Sequence, residues 1–284
     1  MKRIILCADD YGLNASVSQG IIELLRHGRL SAVSCMTTSP HWSLYSSLLK
    51  PLRDKGDVGL HFNLTEGKPL SPEYIKRYGN QFFSLSQLIL RSYFHLLDGD
   101  VIERECEAQL NRFVEELGFL PDFIDGHQHI HQLPVIRKRV VAVHQRYLKN
   151  KNAYIRSVYK KTAAFSVSNQ IKQLIIHLCG ARGLYKLLKR YNIAHNSTFS
   201  GIYLFPYSIE YKSFFPRYLE SAHDLGLIMC HPGLLNNELE PDAIQEARFN
   251  EYSYLASKQF VEDCEEKGVS LVKGVDSLYF SGTM

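Results

Sequence analysis

The sequence predicts an α/β protein with a (β/α) barrel-like fold of about seven strands. Short apolar runs alternate with segments of helical periodicity along most of the 284 residues. Several of these runs end in aspartate or histidine, as expected where the carboxyl ends of parallel strands meet at one edge. Hydrophobic residues make up 45% and charged residues 22%, which is typical of a globular domain. We therefore expect a single domain over residues 1–284.

The first half of the chain predicts strands that alternate with helices. The apolar run at residues 3–8 ends at two aspartates and predicts a buried strand, and Ser16 is the expected cap of a helix that ends near Arg26. Prolines and glycines in residues 66–84 predict a loop. The same patterns predict strands at 32–37, 58–64 and 123–125, and helices at 42–55, 85–97, 101–117 and 133–149.

The second half continues the alternation after an unusual segment. Residues 159–198 are basic, aromatic and helical in periodicity, which indicates an inserted helical segment within the domain. Beyond them the patterns predict helices at 214–225 and 242–267, and the strands of this half are predicted at 154–158, 202–205, 227–230 and 269–272.

Charge, hydropathy and cysteine spacing narrow the class of protein. The net charge is only +4, and the basic clusters at 160–161 and 186–190 are typical of solvated helix faces, so we expect no nucleic-acid partner. The apolar run before Asp9 is too short for a signal peptide, and no run has the length of a membrane span. The six cysteines form no C-x-x-C pair, which favours reduced thiols and a cytoplasmic location.

Polar residues with metal-binding chemistry follow the predicted strands. Asp9 and Asp10 close the first strand, His61 lies in the third, His127 follows a later strand and His231 follows the strand at 227–230. Each of them alone is compatible with a structural hydrogen bond or a helix cap. Their recurrence at four strand ends instead favours a divalent-metal site.

The pattern also suggests how such a site works. One of two adjacent carboxylates can coordinate a cation while the other faces a water molecule, and a carboxylate with two imidazoles leaves coordination positions open. If residues 125–131 continued as a strand, His127, His129 and His131 would share a face, and His127 is the favoured ligand because it is nearest the strand end. His129 and His131 can be functional or structural. His231, which precedes Pro-Gly, can be an acid or part of a simple turn.

The ordered set of motifs resembles the YdjC/ChbG family of carbohydrate deacetylases. Residues 248–257 also resemble the C-terminal helix pattern of that family, through Arg248 and Glu251 among others. The matching motifs span most of the chain and are Ala-Asp-Asp-Tyr-Gly-Leu at 8–13, Gly-Leu-His-Phe-Asn-Leu-Thr at 59–65, Gly-Lys-Pro-Leu at 67–70, Asp-Gly-His-Gln-His-Ile-His at 125–131 and His-Pro-Gly at 231–233.

The resemblance implies a barrel-like fold and a divalent metal ion, magnesium or zinc, that serves in removing N-acetyl groups from an amino sugar or oligosaccharide. Its metal ligands would be Asp10, His61 and His127. Asp9 would be the general base and His231 the acid. Arg156 resembles a family arginine near the site and would contact the substrate. Apart from the resemblance, His129 is a candidate substrate contact, and an enzyme of this kind is often a homodimer.

The chain departs from the family pattern at two motif positions. Gln128 stands where many relatives have histidine, and Gly126 stands where serine is common. Neither change removes a proposed ligand, so substrate contacts are affected more than metal binding. The basic helical segment at 159–198 leaves the acceptor sugar open, including lipid-linked or oligomeric ones.

Two other functions compete with deacetylation. A metal-dependent phosphoesterase or amidohydrolase also uses paired histidines, but such families usually place H-x-H near the first strand, where this chain has Asp9 and Asp10. A non-catalytic carbohydrate-binding protein could keep an inherited pocket. The retention of the full set of acidic and histidine residues argues against that second alternative.

Overall fold

A computed structural model describes residues 1–159, 174, 177–203, 211–235 and 242–278. Within them lie eight strands. They are β1 (Lys2–Tyr11), β2 (Ala32–Cys35), β3 (Asp57–Phe62), β4 (Phe123–Gly126), β5 (Tyr154–Ile155), β6 (Phe199–Ser200), β7 (Gly226–Cys230) and β8 (Val269–Leu271).

All the strands belong to one parallel sheet that curls into a half-barrel surrounded by helices. The strand order is β5-β4-β3-β2-β1-β7-β6, and β8 pairs with the start of β1. The loop before β6 links the two ends of this path: Ile155 donates its backbone N–H to the Ala194 carbonyl, and the Asn196 side chain bonds the backbone of Ser157. The predicted fold class is confirmed.

Helices flank the strands in the order that the sequence predicts. No helix in the described part of the chain combines the length and the apolar character that crossing a membrane requires. The α-helices are α1 (Ala15–Arg26), α2 (Trp42–Tyr45), α3 (Pro72–Tyr78), α4 (Leu85–Tyr93), α5 (Gly99–Leu117), α6 (Ile136–Val143), α7 (Arg182–Arg190), α8 (Phe215–Ser221), α9 (Gln245–Ala256), α10 (Lys258–Glu266) and α11 (Gly274–Ser277).

Several predicted helix boundaries are wrong, for local reasons. The cap of α1 is Asn14, whose side chain accepts from the Val17 N–H, and Ser16 lies inside the helix. The segment predicted as one helix at 42–55 is α2 followed by a 3₁₀ helix that contains Pro51. The predicted last helix breaks at Ser257, whose side chain caps α10. The predicted loop at 66–84 contains α3, capped by Ser71.

Two further predictions concern the segment between β5 and β7. The strand predicted at 202–205 lies upstream, at β6, and residues 204–205 are outside the described part. Of the predicted helical insert, residues 160–173, 175 and 176 are also outside the described part. Residues 177–190 are helical, and residues 193–198 are an irregular connection to β6.

Alternation along the strands separates two buried layers. On β1, Ile4, Leu6 and Ala8 pack in the core between the sheet and its helices, whereas Ile5 and Cys7 belong to the cluster on the concave face. Successive strand side chains point to opposite faces. Residues in phase with Ile5 and Cys7, including Asp9, therefore point into the curl of the sheet.

Candidate active site

Both aspartates at the end of β1 reach the same site because the backbone there is irregular. In a regular strand Asp9 and Asp10 would point to opposite faces. The register with β2 shifts between Ala8 and Tyr11, and Asp10 has a left-handed φ of 67°. Aspartate is one of the residues that visits this conformation. The bulge thus turns the Asp10 carboxylate toward the strand ends that carry the histidines.

Asp10, His61 and His127 converge at the carboxyl ends of β1, β3 and β4. Their candidate ligand atoms all lie within 4.8 Å of one another, and all three residues are buried. Asp10 Oδ1 is 3.4 Å from His61 Nε2 and 3.1 Å from His127 Nδ1. The three residues that the resemblance implies as ligands are therefore together.

The second oxygen of Asp10 is held by an arginine from α9. Arg248 Nη2 donates to Asp10 Oδ2 at 2.8 Å, and Arg248 Nε donates to Asp242 Oδ2 at 2.7 Å. Burial acts to raise the pKa of Asp10, but Arg248 and the hydrogen bonds with His127 and His61 outweigh it and hold the pKa well below its usual value. Asp10 is thus an anion with one oxygen directed at the imidazoles.

Asp125 orients His61 from behind. Its Oδ1 lies 2.6 Å from His61 Nδ1 and also accepts from Ser34 Oγ at 2.6 Å. Asp125 is wholly buried, and although burial opposes its charge, Arg156 and His61 lower its pKa. A carboxylate bound to the far nitrogen of a histidine fixes the tautomer and the direction of the near nitrogen.

Asp9 pairs with Arg156, which follows β5. Arg156 Nη1 and Nη2 donate to the two Asp9 oxygens at 2.7 and 2.6 Å, and Nη2 is also 2.6 Å from Asp125 Oδ2. The arginine is 0% exposed. The guanidinium thus pairs with two carboxylates beneath the site, and the direct substrate contact implied by the resemblance stays a prediction.

Residues 127–132 form a 3₁₀ turn, and the continued strand considered for them is wrong. Gln128 and His129 have φ values of 53° and 60°, so His127, His129 and His131 do not share one face. His129 packs edge-on against Phe199 with ring centroids 5.5 Å apart, and burial, with Arg156 nearby, lowers its pKa. His131 Nε2 bonds the Arg156 carbonyl at 3.0 Å and so supports the arginine.

His231 follows β7 directly beside Asp9. Ala8 and Cys230 are register partners, so the next residue on each strand, Asp9 and His231, leaves the sheet at the same level. The His231 backbone N–H donates to Glu251, whose pKa is raised to about 7 by burial. The loop passes tightly between α1 and α9, where a Cβ on Gly233 would meet Arg248 at 3.3 Å.

The excess of negative charge around the three converging ligands favours the binding of a cation. Five carboxylates, two guanidinium groups and two imidazoles from the described residues meet here. Although burial opposes protonation, Asp125 and Asp9 help raise the pKa of His61 to about 10, and hydrogen bonds to Asp10 and Glu66 help raise that of His127 to about 9. The carboxylates around both imidazoles therefore favour positive charge at this place, and a divalent cation bound by the same residues would supply it. The donor set therefore fits a metal ion. The five carboxylates are those of Asp9, Asp10, Glu66, Asp125 and Asp242.

Sequence reasoning left several site residues without a role. Arg248 and Asp125 lay within recognised motifs, but motif matching gives no contact partner. Neither Ser34 nor Glu66 belongs to one of the motifs or predicted strand ends that mark the site in the sequence. Ser34 lies two residues after Ala32 on β2, so strand parity assigns it to the concave face once the structure shows that Ala32 faces that side. Glu66 lies beyond a strand end, where no periodicity applies.

The sequence of this chain is similar to those of proteins named chitooligosaccharide deacetylases. The chain is 37% identical over 136 residues to a chitooligosaccharide deacetylase of Enterobacter sp. (strain 638), covering 48% of this chain and 52% of that protein, so the match spans about half the length of the relative. A chitooligosaccharide deacetylase of Yersinia pestis is 28% identical over 282 residues, covering 97% of this chain and 99% of the relative.

A solved structure and a family model extend the comparison to nearly the whole chain. The structure, of an Enterococcus faecalis protein described as a cellobiose-phosphate cleavage protein, superposes with a TM-score of 0.73 at 20% identity and covers 98% of this chain and 99% of that one, which shows a shared fold. The model of the YdjC-like protein family matches residues 3–266. This chain is a member of the YdjC-like family.

Proposed function

We propose that this protein is a metal-dependent carbohydrate deacetylase that hydrolyses the N-acetyl group of an amino sugar or its oligosaccharide. The observation that carries the proposal is the convergence of Asp10, His61 and His127 at one edge of the sheet, with Asp9 beside them. Relatives over the same family region are named chitooligosaccharide deacetylases, which supports this substrate class.

Asp10, His61 and His127 would hold one divalent ion, with Asp125 and Arg248 fixing His61 and Asp10 from outside. The bound ion would polarise the amide carbonyl and increase the acidity of water. Two imidazoles and one carboxylate favour zinc over magnesium, because magnesium prefers oxygen ligands.

Asp9 would accept the proton of the attacking water. Arg156 donates to both Asp9 oxygens, and Cys7 Sγ also donates to Oδ1 at 3.6 Å. A carboxylate has about four lone-pair sites, so the capacity for a further hydrogen bond lies at Oδ2. The guanidinium restricts Asp9 to one orientation, which makes Arg156 a positioning residue. Proton acceptance by a held carboxylate is ordinary general-base catalysis.

His231 would deliver a proton to the amine as it leaves. In the overall reaction a carbon–oxygen bond to water oxygen forms and the amide carbon–nitrogen bond breaks, so acetate and a protonated amine are released. His231 is partly exposed and follows β7 at the level where Asp9 lies on the neighbouring strand β1, which supports this pairing of acid and base. Histidine is the side chain most often used for such proton transfer.

The test is acetate release from N-acetylated mono- and oligosaccharides by the purified protein, with an aryl phosphate panel in parallel. We expect acetate release by the wild type, a loss of at least about 100-fold in Asp9→Asn, and no phosphate release. Exposed Glu115→Gln is the matched control and should behave as the wild type.

The same substrate panel, together with calorimetry of sugar binding, separates the two rival functions. Phosphate release without acetate release would establish the phosphoesterase alternative. Sugar binding by calorimetry with neither product would favour a non-catalytic binding protein. The single domain, the cytoplasmic location and the homodimer are predictions. Cell fractionation would test the location, and light scattering would test the homodimer.

A further inference from the structure

We infer that Glu66 positions His127 at the metal site, as Asp125 positions His61, and that it does so from the solvent side. This inference rests on the proposed function, because it concerns the same ligand set. Glu66 Oε1 lies 2.9 Å from His127 Nε2, on the opposite ring nitrogen from the Asp10 contact.

The two imidazoles are arranged in the same way. Each directs one nitrogen at Asp10 Oδ1 and the other at a second carboxylate, which is Asp125 for His61 and Glu66 for His127. A carboxylate behind a ligating histidine sets its tautomer and raises its basicity. The Glu66 carboxylate pairs with Nε2 as a close ion-pair contact, and its negative charge favours a proton on that nitrogen, which leaves Nδ1 for the ion.

Asn63 holds the backbone of Glu66 in place. The Asn63 side chain donates to the Glu66 carbonyl at 2.7 Å and accepts from the Glu66 N–H at 3.1 Å. Asn63 is wholly buried, and its backbone bonds the Gln109 side chain through both N–H and carbonyl. The turn after β3 is therefore built to present the residue at position 66.

Position and exposure distinguish Glu66 from a fourth ligand. The described acidic and histidine residues whose ligand atoms lie within 4.8 Å of one another at this site are Asp10, His61 and His127, and Glu66 is outside that group. Its side chain is 44% exposed, whereas that of Asp125 is 0% exposed. Glu66 is thus the accessible partner, and its loss should weaken the site without unfolding the protein.

The test is calorimetric titration of the whole protein with Zn²⁺ alone, and with Mg²⁺ alone, in wild type, Glu66→Ala and Glu66→Gln. We expect Glu66→Ala to weaken metal binding about 10–100-fold, the usual effect of removing such a partner. Glu66→Gln keeps an acceptor oxygen and should recover part of the loss. Nitrogen NMR should show the His127 proton on Nε2 in the wild type and a mixture of tautomers in Glu66→Ala.

Two controls keep failure of this inference distinct from failure of the proposed function. Glu115→Ala removes an exposed carboxylate elsewhere and should bind metal as the wild type does, and His127→Ala should not bind. If Glu66→Ala binds within twofold of the wild type while His127→Ala does not, the inference is wrong and the metal site stands. If Glu66→Ala abolishes binding as His127→Ala does, Glu66 is a ligand and the positioning role is also wrong.

Discussion

Arg156 is the side chain on which the geometry of two carboxylates depends. It is completely buried, and its guanidinium pairs with Asp9 and Asp125. Removing one partner of a buried ion pair leaves an uncompensated charge, which costs about 3–5 kcal/mol.

We therefore expect Arg156→Met to lower the free energy of unfolding by about 3–5 kcal/mol in urea titrations. Arg156→Lys keeps the charge but not the two parallel hydrogen bonds, so it should recover only part of that loss. A loss below about 1 kcal/mol in Arg156→Met would show that the ion pairs do not hold this region.

At this scale the sequence predicts identities better than contacts. Asp10, His61 and His127 were each found from strand ends and motifs, and the structure brings them together. The partners that orient them come from distant parts of the chain, such as Arg248 on α9. Neither the periodicity nor the spacing of residues indicates these contacts, because the contacts form only when the sheet curls.

Strand parity explains most of the site at the scale of single elements. On β2, β3, β4 and β5, the polar residues of the site are those whose side chains point to the concave face. Asp10 on β1 does not follow this alternation, because its backbone is left-handed. Strand alternation therefore accounts for these residues once the structure shows which face is concave, whereas the bulge at Asp10 has no signal in the sequence. The residues in phase are Ser34, His61, Asp125 and Arg156.

The cap of α1 gives a test at the same scale. Asn14 Oδ1 accepts from the Val17 N–H at 2.9 Å, and this cap lies three residues after the end of β1, the strand that carries Asp10. We expect Asn14→Ala to lower the free energy of unfolding by about 1 kcal/mol, with Asn14→Ser close to the wild type. Ser16→Ala, at the position first predicted as the cap, should cost less; an equal or larger loss in thermal or urea unfolding would contradict the assignment.

Over the whole molecule, Asp57 ties the amino-terminal end of the half-barrel together. Its Oδ2 accepts from the Gly274 and Val275 N–H groups of α11 and from the Tyr154 hydroxyl on β5. Burial, with Asp122 nearby, raises its pKa to about 7, above the value of about 4 in an unfolded chain.

The folded state therefore binds this proton more tightly than the unfolded state. The stability that it contributes is present in full below about pH 4 and is lost as the pH rises through about 7. We expect the difference in unfolding free energy between wild type and Asp57→Asn to fall by on the order of 3 kcal/mol over that interval. Urea titrations from pH 4.5 to 8 would measure it, and a difference that does not change with pH would refute the assignment.

The fold of the whole molecule was largely predictable, because apolar runs predict most of the strands and the helical spacing of apolar residues predicts the helices between them. The closure between β5 and β6 was not, since it depends on single contacts such as that between Asn196 and Ser157. Helix breaks at Ser257 and near Pro51 were also missed, because a capping serine and a proline compete with an otherwise continuous pattern.

The most direct test of the proposed metal site is the metal content per chain after loading with Zn²⁺ and desalting, measured by mass spectrometry on the wild type and on His61→Ala/His127→Ala. We expect one equivalent in the wild type and less than about one tenth in the double variant, with circular dichroism showing that both are folded. Equal metal content in the two proteins, or none in the wild type, would contradict a site built from Asp10, His61 and His127.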